Sequence, residues 1–392
     1  MNPTTEPETH ESAGARIVAI TMDDPVLGGP LRLSLGPQRT VLVGRNGAGK
    51  SRILESLRGA AFAAVSLGEV RSPAVVGCEY ELGGECFKYE YAWTPGPDGG
   101  PDERWSWVWN EKCVEVGSGR EIWQVIDGTL LVGQKPSNLF MPHMVGLLHI
   151  GDVPTVPPQA VALRGLLYGL HLIHAGVPRH GLVRDVLRLQ GQGRNGAAHS
   201  GPRWTGRGDE RLIDVLKTLV HWFETERDRF DAVMEIGRRL QVLRELVVHI
   251  KELEIGTSKH PSVLEAEVFV DGVNFGYLSD GTQRLIELVI KLVDPAVTVL
   301  LLEEPETSVH PGLLRRLLAE LDALGPGKQV VISTHSPMVI DWTRAEDVRL
   351  VERTSEGVTS VRSLSADERA RLGIYLDDDL ALSDFMFSGA MD

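Results

Sequence analysis

The stretch Gly44-Arg45-Asn46-Gly47-Ala48-Gly49-Lys50-Ser51 constrains this chain more than any other, because it fits G-x-x-x-x-G-K-[ST] directly behind the apolar run Thr40-Val41-Leu42-Val43. Its glycines let backbone amides curl around a polyphosphate, Lys50 is placed to reach the β and γ phosphates, and the Ser51 hydroxyl to ligate Mg²⁺. Ile53, Leu54 and Leu57 follow at helical spacing, so the anion would also lie at a helix N-terminus, where free amides and the dipole favour negative charge. Strand, loop and helix in this order predict a Walker A loop. A chance match in a chain with 42 glycines is the bland alternative, and the flanking context argues against it.

Length and composition set the frame for that loop. With 392 residues, 42% of them apolar, the chain can fill one large α/β domain with insertions, or two domains. The apolar stretch from Leu163 to Val177 is broken by Arg164, His171 and His174, so no membrane span is expected, and the polar, acidic start from Met1 to Gly14 reads as a disordered tail rather than a signal peptide. Cys78, Cys86 and Cys113 form no CxxC pair, which excludes a zinc hook and suits a reducing cytoplasm. A net charge of -14 argues against coating nucleic acid through the whole field, leaving DNA or RNA contact to a local basic surface.

Along the chain, Arg16 to Ile20 and Leu31 to Leu35 read as strands, and the alternation between Ala74 and Trp109, broken at Gly83-Gly84 and Pro95 to Pro101, predicts hairpins of an antiparallel sheet. Its aromatics, with Trp105, Trp107 and Trp109 at period two, suit one buried sheet face better than a base-stacking platform. Helices are expected over Val161 to His174, Gly181 to Gln190 and Glu210 to Glu226. A basic, glycine-rich loop, 191–208, is expected between the last two; its Arg194, Arg203 and Arg207 are candidates for a nucleic-acid contact against the plainer reading of a solvated insertion. Val233, Ile236, Leu240, Leu243, Val247 and Ile250 form one helical stripe, although beyond Leu246 the pattern fits a strand equally well. Leu264 to Tyr277 reads as a hairpin turning at Asp271-Gly272.

A second set of residues completes the chemistry. Val297 to Leu302, apolar but for Thr298, reads as a strand ending in Glu303-Glu304, as expected of a strand covered on both faces whose carboxyl end borders a ligand site. Glu303 is assigned to the metal and Glu304 to orienting or deprotonating the attacking water. Gln329 to Thr334 is a further buried strand, ending at His335, whose neutral imidazole can hydrogen-bond the γ-phosphate or the water. Leu278-Ser279-Asp280-Gly281 opens another helix and offers a second anion site. Should that site not reach the loop within one chain, two chains head to tail with ATP between them supply the simplest solution.

These pieces resemble the ABC class of ATPases, and GRNGAGKS, LSDGTQR, EEPETSVHP and STHSP look like the OLD/RecF-like, SMC-related AAA ATPases of prokaryotes, found in DNA repair and in phage defence systems such as Septu and Gabija. The resemblance covers about 15–60 and 264–342. It implies an α/β, ABC-type P-loop ATPase with an antiparallel β subdomain and a helical insert, binding ATP and Mg²⁺. Ser279 and Gly281 would complete a partner chain's site in a homodimer or higher homo-oligomer, with Thr307 to Pro311 at the interface. Domains are accordingly expected as a tail 1–14, an N-terminal lobe 15–151, a helical insert 152–260, a C-terminal lobe 261–345 and an extension 346–392. The pattern departs in having Glu303 where aspartate is common, no aromatic ahead of the loop to stack adenine, and three candidates, Gln124, Gln134 and Gln159, for the Q-loop. About fifty residues follow STHSP, too few for a TOPRIM nuclease, so a separate effector protein, a nuclease among the options, is expected to be gated by the ATPase. A DNA repair ATPase of RecF/SMC type, the nucleotide-binding subunit of a membrane transporter and a structural clamp with little turnover are the competing readings.

Overall fold

The computed structural model describes residues 14–65, 74–95, 107–126, 129–133, 135–140, 156–175, 184–190, 203–207, 210–253, 263–307, 309–324, 328–377 and 381–387. They form two compact units. The first comprises Met1–Leu172, Ala296–Pro305 and Leu324–Asp392, the second Ile173–Pro295 and Glu306–Ala323.

Two sheets build the first unit. An eight-stranded antiparallel sheet contains β1 (Arg16–Asp24), β2 (Gly29–Ser34), β4 (Ala74–Leu82), β5 (Glu85–Pro95), β6 (Trp107–Glu115), β7 (Glu121–Ile126), β8 (Thr129–Val132) and β9 (Lys135–Phe140), in the order β2-β1-β4-β5-β6-β7-β8-β9. The β4–β5 hairpin turns on Gly83 and Gly84, both at positive φ, the conformation a tight two-residue turn demands. The expected buried aromatic face is present as Tyr80, Phe87, Tyr89, Tyr91 and Trp123, and the Tyr91 hydroxyl donates to the Ala60 carbonyl (2.9 Å) of helix α1 (Lys50–Val65). Trp105 lies outside the described residues, as do the side chains of Trp107 and Trp109.

The other sheet runs β10-β16-β17-β3-β18-β19, with β3 (Arg39–Val43), β10 (Leu170–Ile173), β16 (Val299–Glu303), β17 (Gln329–Thr334), β18 (Val348–Arg353) and β19 (Thr359–Ser363). Strands β16, β17, β3 and β18 are parallel, and the apolar residues of β3, β16 and β17 are all buried, which is why their sequences do not alternate. Helices α2 (Pro158–Tyr168), α7 (Pro337–Trp342), α8 (Ala366–Asp377) and α9 (Leu382–Phe387) complete the unit.

Three sequence expectations need correction. The helix expected over Val161 to His174 stops at Tyr168, because Gly169 comes so close to the chain before β16 that a Cβ would lie 2.4 Å from the Ala296 carbonyl oxygen, and its own carbonyl accepts from the Thr298 amide (2.9 Å). Gly181 to Gln190 is not a helix over its described part: Arg184–Gln190 is strand β11, since pairing with β12 (Arg203–Arg207) and β14 (Val263–Val270) overrides a short, ambiguous apolar pattern. The 191–208 segment is therefore not one loop, although residues 191–202, with Arg194, lie outside the described part. The stripe from Val233 to Ile250 follows the alternative that the sequence left open, dividing into helix α4 (Arg227–Leu240), closed by Gln241 at φ 59, and strand β13 (Leu246–Leu253).

The second unit joins the sheet β12-β11-β14-β13, with β15 (Val273–Asn274) on β14, to helices α3 (Glu210–Thr225), α4, α5 (Asp280–Val293) and α6 (Pro311–Asp322). The expected turn at Asp271-Gly272 has both residues at positive φ. No helix among the described residues is long and apolar enough to cross a membrane.

A buried amide ties the two sheets of the first unit together. Gln329 accepts from the Ile17 amide and donates to the Ile17 and Gly36 carbonyls, each at 2.9 Å. Gln329→Met keeps the volume but strands three buried backbone groups, so we expect a loss of about 2–4 kcal/mol, read as a fall in the urea midpoint at unchanged slope.

Candidate active site

Register places the chemistry. Glu303 lies opposite Ser333, and Thr334 opposite Val43, so the carboxyl ends of β16, β17 and β3 form one level edge. Everything the sequence assigns to hydrolysis follows these ends by a residue or a few: Glu304 after β16, His335 after β17, and Gly44 to Ser51 after β3.

The loop has the conformation its glycines permit. Gly47 and Gly49 take φ 77 and 106. A Cβ on Gly49 would stand 2.8 Å from Thr359 Oγ1, and one on Gly44 would stand 2.2 Å from the Val351 carbonyl oxygen. Helix α1 begins at Lys50, so its first-turn amides point at the loop's concavity. Asp24 anchors the helix from behind, bonding Arg52 (2.8 Å) and the Ser56 hydroxyl.

Lys50 is 5% exposed, and its ammonium donates to the Gly44 carbonyl (2.9 Å), the Arg45 carbonyl (3.3 Å) and Nε2 of His335 (2.6 Å). Donation from the ammonium requires a lone pair on that nitrogen, so this contact suits an imidazole carrying its proton on Nδ1. His335 itself is placed by a turn in which the Ser336 amide donates to Thr334 Oγ1 (2.9 Å). His335 Nε2 lies 3.9 Å from Glu304 Oε1. The structure thus gathers Lys50, His335 and Glu304 into one cluster.

Glu304 is held at φ 41, a left-handed conformation unfavourable for any residue with a Cβ, while its amide donates to the Ser333 carbonyl (2.9 Å). This bend turns the chain off the strand axis directly after Glu303. Ser51, in the first turn of α1, and Glu303, at the end of β16, fit the two protein ligands a nucleotide-bound Mg²⁺ takes, and the buried Ser333 Oγ, level with Glu303, has no hydrogen-bond partner among the described residues.

The remaining assigned residues are placed as follows. Ser279 caps α5 of the second unit, its Oγ accepting from the Thr282 amide (3.3 Å), and Gly281 lies in that helix's first turn. Behind them Gln283 donates to the Phe275 carbonyl (3.0 Å) and Arg284 to the Thr307 carbonyl (3.2 Å). Arg203 and Arg207 are the ends of β12. Gln124 lies on β7 and Gln159 in the first turn of α2, while Gln134 is outside the described residues.

Sequence reasoning missed the part played by the β18–β19 hairpin. Thr359 Oγ1 donates to the Ala48 carbonyl (3.3 Å), so the hairpin buttresses the loop. Between them opens a cavity of about 790 Å³, bounded by Val43, Gly44 to Ala48, His335, Leu350 to Arg353, Arg362 and Met386. Arg362 reaches it from a fixed base: one guanidinium nitrogen bonds Glu368 (2.8 Å) and another Glu352 (3.4 Å). Ser365 and Glu368 form a reciprocal capping box for α8, legible in the sequence as Ser365-x-x-Glu368.

Residues 211–341 match the family described as "AAA domain, putative AbiEii toxin, Type IV TA system". The chain is 22% identical over 155 residues to the "Retron Vc95 probable ATPase" of Vibrio cholerae serotype O1 biovar El Tor, a match taking in 36% of this chain and 30% of that relative's length. Among solved structures it is similar to an SMC head bound to the C-terminal winged-helix domain of ScpA (13% identity, TM-score 0.41, 90% of this chain and 99% of that one) and to the SMC head domain from Thermotoga maritima (13%, 0.39, 90% and 100%).

Two measurements probe this geometry. Glycine relieves the left-handed strain at Glu304, worth about 1–2 kcal/mol, against its own entropic cost of about 0.5–1 kcal/mol; Glu304→Gly is therefore expected to be at least as stable as the parent in a urea melt. The guanidinium of Arg362, with the Ser365 bonds, holds the Glu368 carboxyl at about 2 in the fold, against 4.5 ordinarily. Its folded value is depressed, so the stabilisation is full above about 4.5 and lost as the pH falls towards 2; with solvent screening at the half-exposed Arg362, Glu368→Gln should cost about 1–2 kcal/mol at pH 7, the gap from the parent closing below pH 4.5 in paired melts. With the loop, the diacid strand and the histidine strand assembled on one parallel edge, the chain is identified as carrying a P-loop α/β core whose residues 211–341 match that AAA-domain family.

Proposed function

We propose that the chain binds ATP with Mg²⁺ at Gly44 to Ser51 and hydrolyses it to ADP and phosphate. The observation that carries this reading is the meeting of Lys50 with His335 (2.6 Å) and of His335 with Glu304 (3.9 Å) at the carboxyl edge of three parallel strands. Arriving phosphate oxygens replace the carbonyls and imidazole as acceptors for Lys50, which frees His335 Nε2 to meet the γ-phosphate or the water. Glu304 takes the proton of the water whose oxygen attacks the γ-phosphorus, while the bond to the ADP oxygen breaks. Bound Mg²⁺, held by Ser51 and Glu303, would draw charge from the β and γ phosphates.

Two copies then close around the nucleotide, with Ser279 and Gly281 of one supplying α5's N-terminal amides to the other. Support comes from the exposure of this surface: Ser279 is exposed, and Tyr277, two residues before it, is 73% exposed. The cycle regulates or powers a DNA-directed complex, in antiphage defence, with a separate effector protein; the likeness to a retron ATPase is compatible with that role. The chain spans 30% of that relative, so this assignment rests chiefly on the motifs.

Solution mass of Glu304→Gln with and without ATP and Mg²⁺ tests the reading. We expect the mass to double with ATP and the parent alone to turn over phosphate. A monomer at saturating ATP would remove the sandwich arrangement, and turnover undiminished in the variant would remove Glu304 from the chemistry.

A further inference from the structure

The cavity beside the loop is larger than a triphosphate requires. About 790 Å³ is the size of pocket that encloses a whole small-molecule ligand. Its extent fixes a direction. If the γ-phosphate end of a nucleotide faces His335 and Glu304, on the β16–β17 side of β3, the remainder runs the other way along Gly44 to Ala48, towards the end of β18.

The far wall differs in chemistry from the loop, setting apolar side chains and a carboxylate beside the guanidiniums of Arg353 and Arg362. Leu350 and Met386 are buried apolar residues on the cavity, and methionine sulfur packs favourably against a flat aromatic ring. Glu352 places a carboxylate on the same wall, where it would repel phosphate but can accept two O–H donors at once. This carboxylate is oriented: Arg362 bonds Glu352 (3.4 Å) while its other nitrogen is anchored on the buried Glu368 (2.8 Å). Arg353 is likewise pinned, its Nε donating to the Gly357 carbonyl (3.1 Å).

The geometry points to a nucleoside subsite on β18 and α9, in which Glu352 accepts hydrogen bonds from the two ribose hydroxyls and Met386 packs on the base. This inference rests on the ATP reading above. It explains how the chain dispenses with an aromatic ahead of its loop, and it makes the site selective for the ribose diol rather than for the identity of the base.

Calorimetric binding to the full chain tests it, with ATP, 2′,3′-dideoxy-ATP, GTP and tripolyphosphate as probes. The parent should bind ATP about tenfold more tightly than dideoxy-ATP, and GTP within about threefold of ATP. Glu352→Ala should weaken ATP about tenfold, leave dideoxy-ATP and tripolyphosphate unchanged, and so abolish the discrimination. Met386→Ala should weaken both nucleotides and spare tripolyphosphate. A Glu352→Ala protein that keeps the parent's ratio of ATP to dideoxy-ATP overturns the subsite while leaving the phosphate loop intact. If the parent binds neither ATP nor tripolyphosphate, the ATP reading itself fails, and the subsite with it.

Discussion

The whole site depends on the parallel register of β16, β17 and β3. Parallel strands bring their carboxyl ends to the same side, and pairing Glu303 with Ser333 and Thr334 with Val43 brings them to the same height. A slip of one residue in β17 would turn its side chains to the opposite face and withdraw His335 from Lys50. Gln329 guards against this at the strand's other end, because its amide satisfies Ile17 and Gly36 only in the observed register.

Around that edge the protein accepts local cost in return for position. Glu304 is bent into the left-handed region, Lys50 is drawn into a nearly closed setting, and an imidazole nitrogen is kept against its ammonium. Such departures from relaxed geometry are tolerated where the surrounding fold over-determines them, and here the determinants are identifiable. Val351 and Thr359 close on the loop, Asp24 holds α1, and the Ser333 carbonyl fixes the Glu304 amide.

Much of this was legible in the sequence because the informative residues are local. The loop with its flanking strand and helix, the diacid behind an unbroken apolar run, the histidine behind another, and the Asp271-Gly272 turn each lie within a short window. The failures share one cause. Where a segment of seven to ten residues could serve either as helix or as strand, as at Arg184–Gln190, partners distant in sequence decided, and those pairings have no local signature. Gly169 ended a helix for the sake of a close approach to the segment before β16, again a non-local cause. The role of Arg362 and Glu352 escaped for the same reason: nothing near them in the chain announces that β18 flanks the loop, although the capping box that anchors Arg362 was readable.

Strand β3 carries a consequence for how this chain is made. Its neighbours, β17 and β18, are synthesised about 290 residues after it. At roughly 5–20 residues per second a ribosome needs roughly 15–60 s to deliver them. Throughout that interval Thr40-Val41-Leu42-Val43, the most apolar part of the nucleotide loop's own strand, has neither edge paired. Unpaired apolar strands are templates for association with other chains, and contacts of such long sequence separation form slowly. The same topology that levels three strand ends at one edge thus leaves the loop's own strand waiting for both of its neighbours until β17 and β18 have emerged.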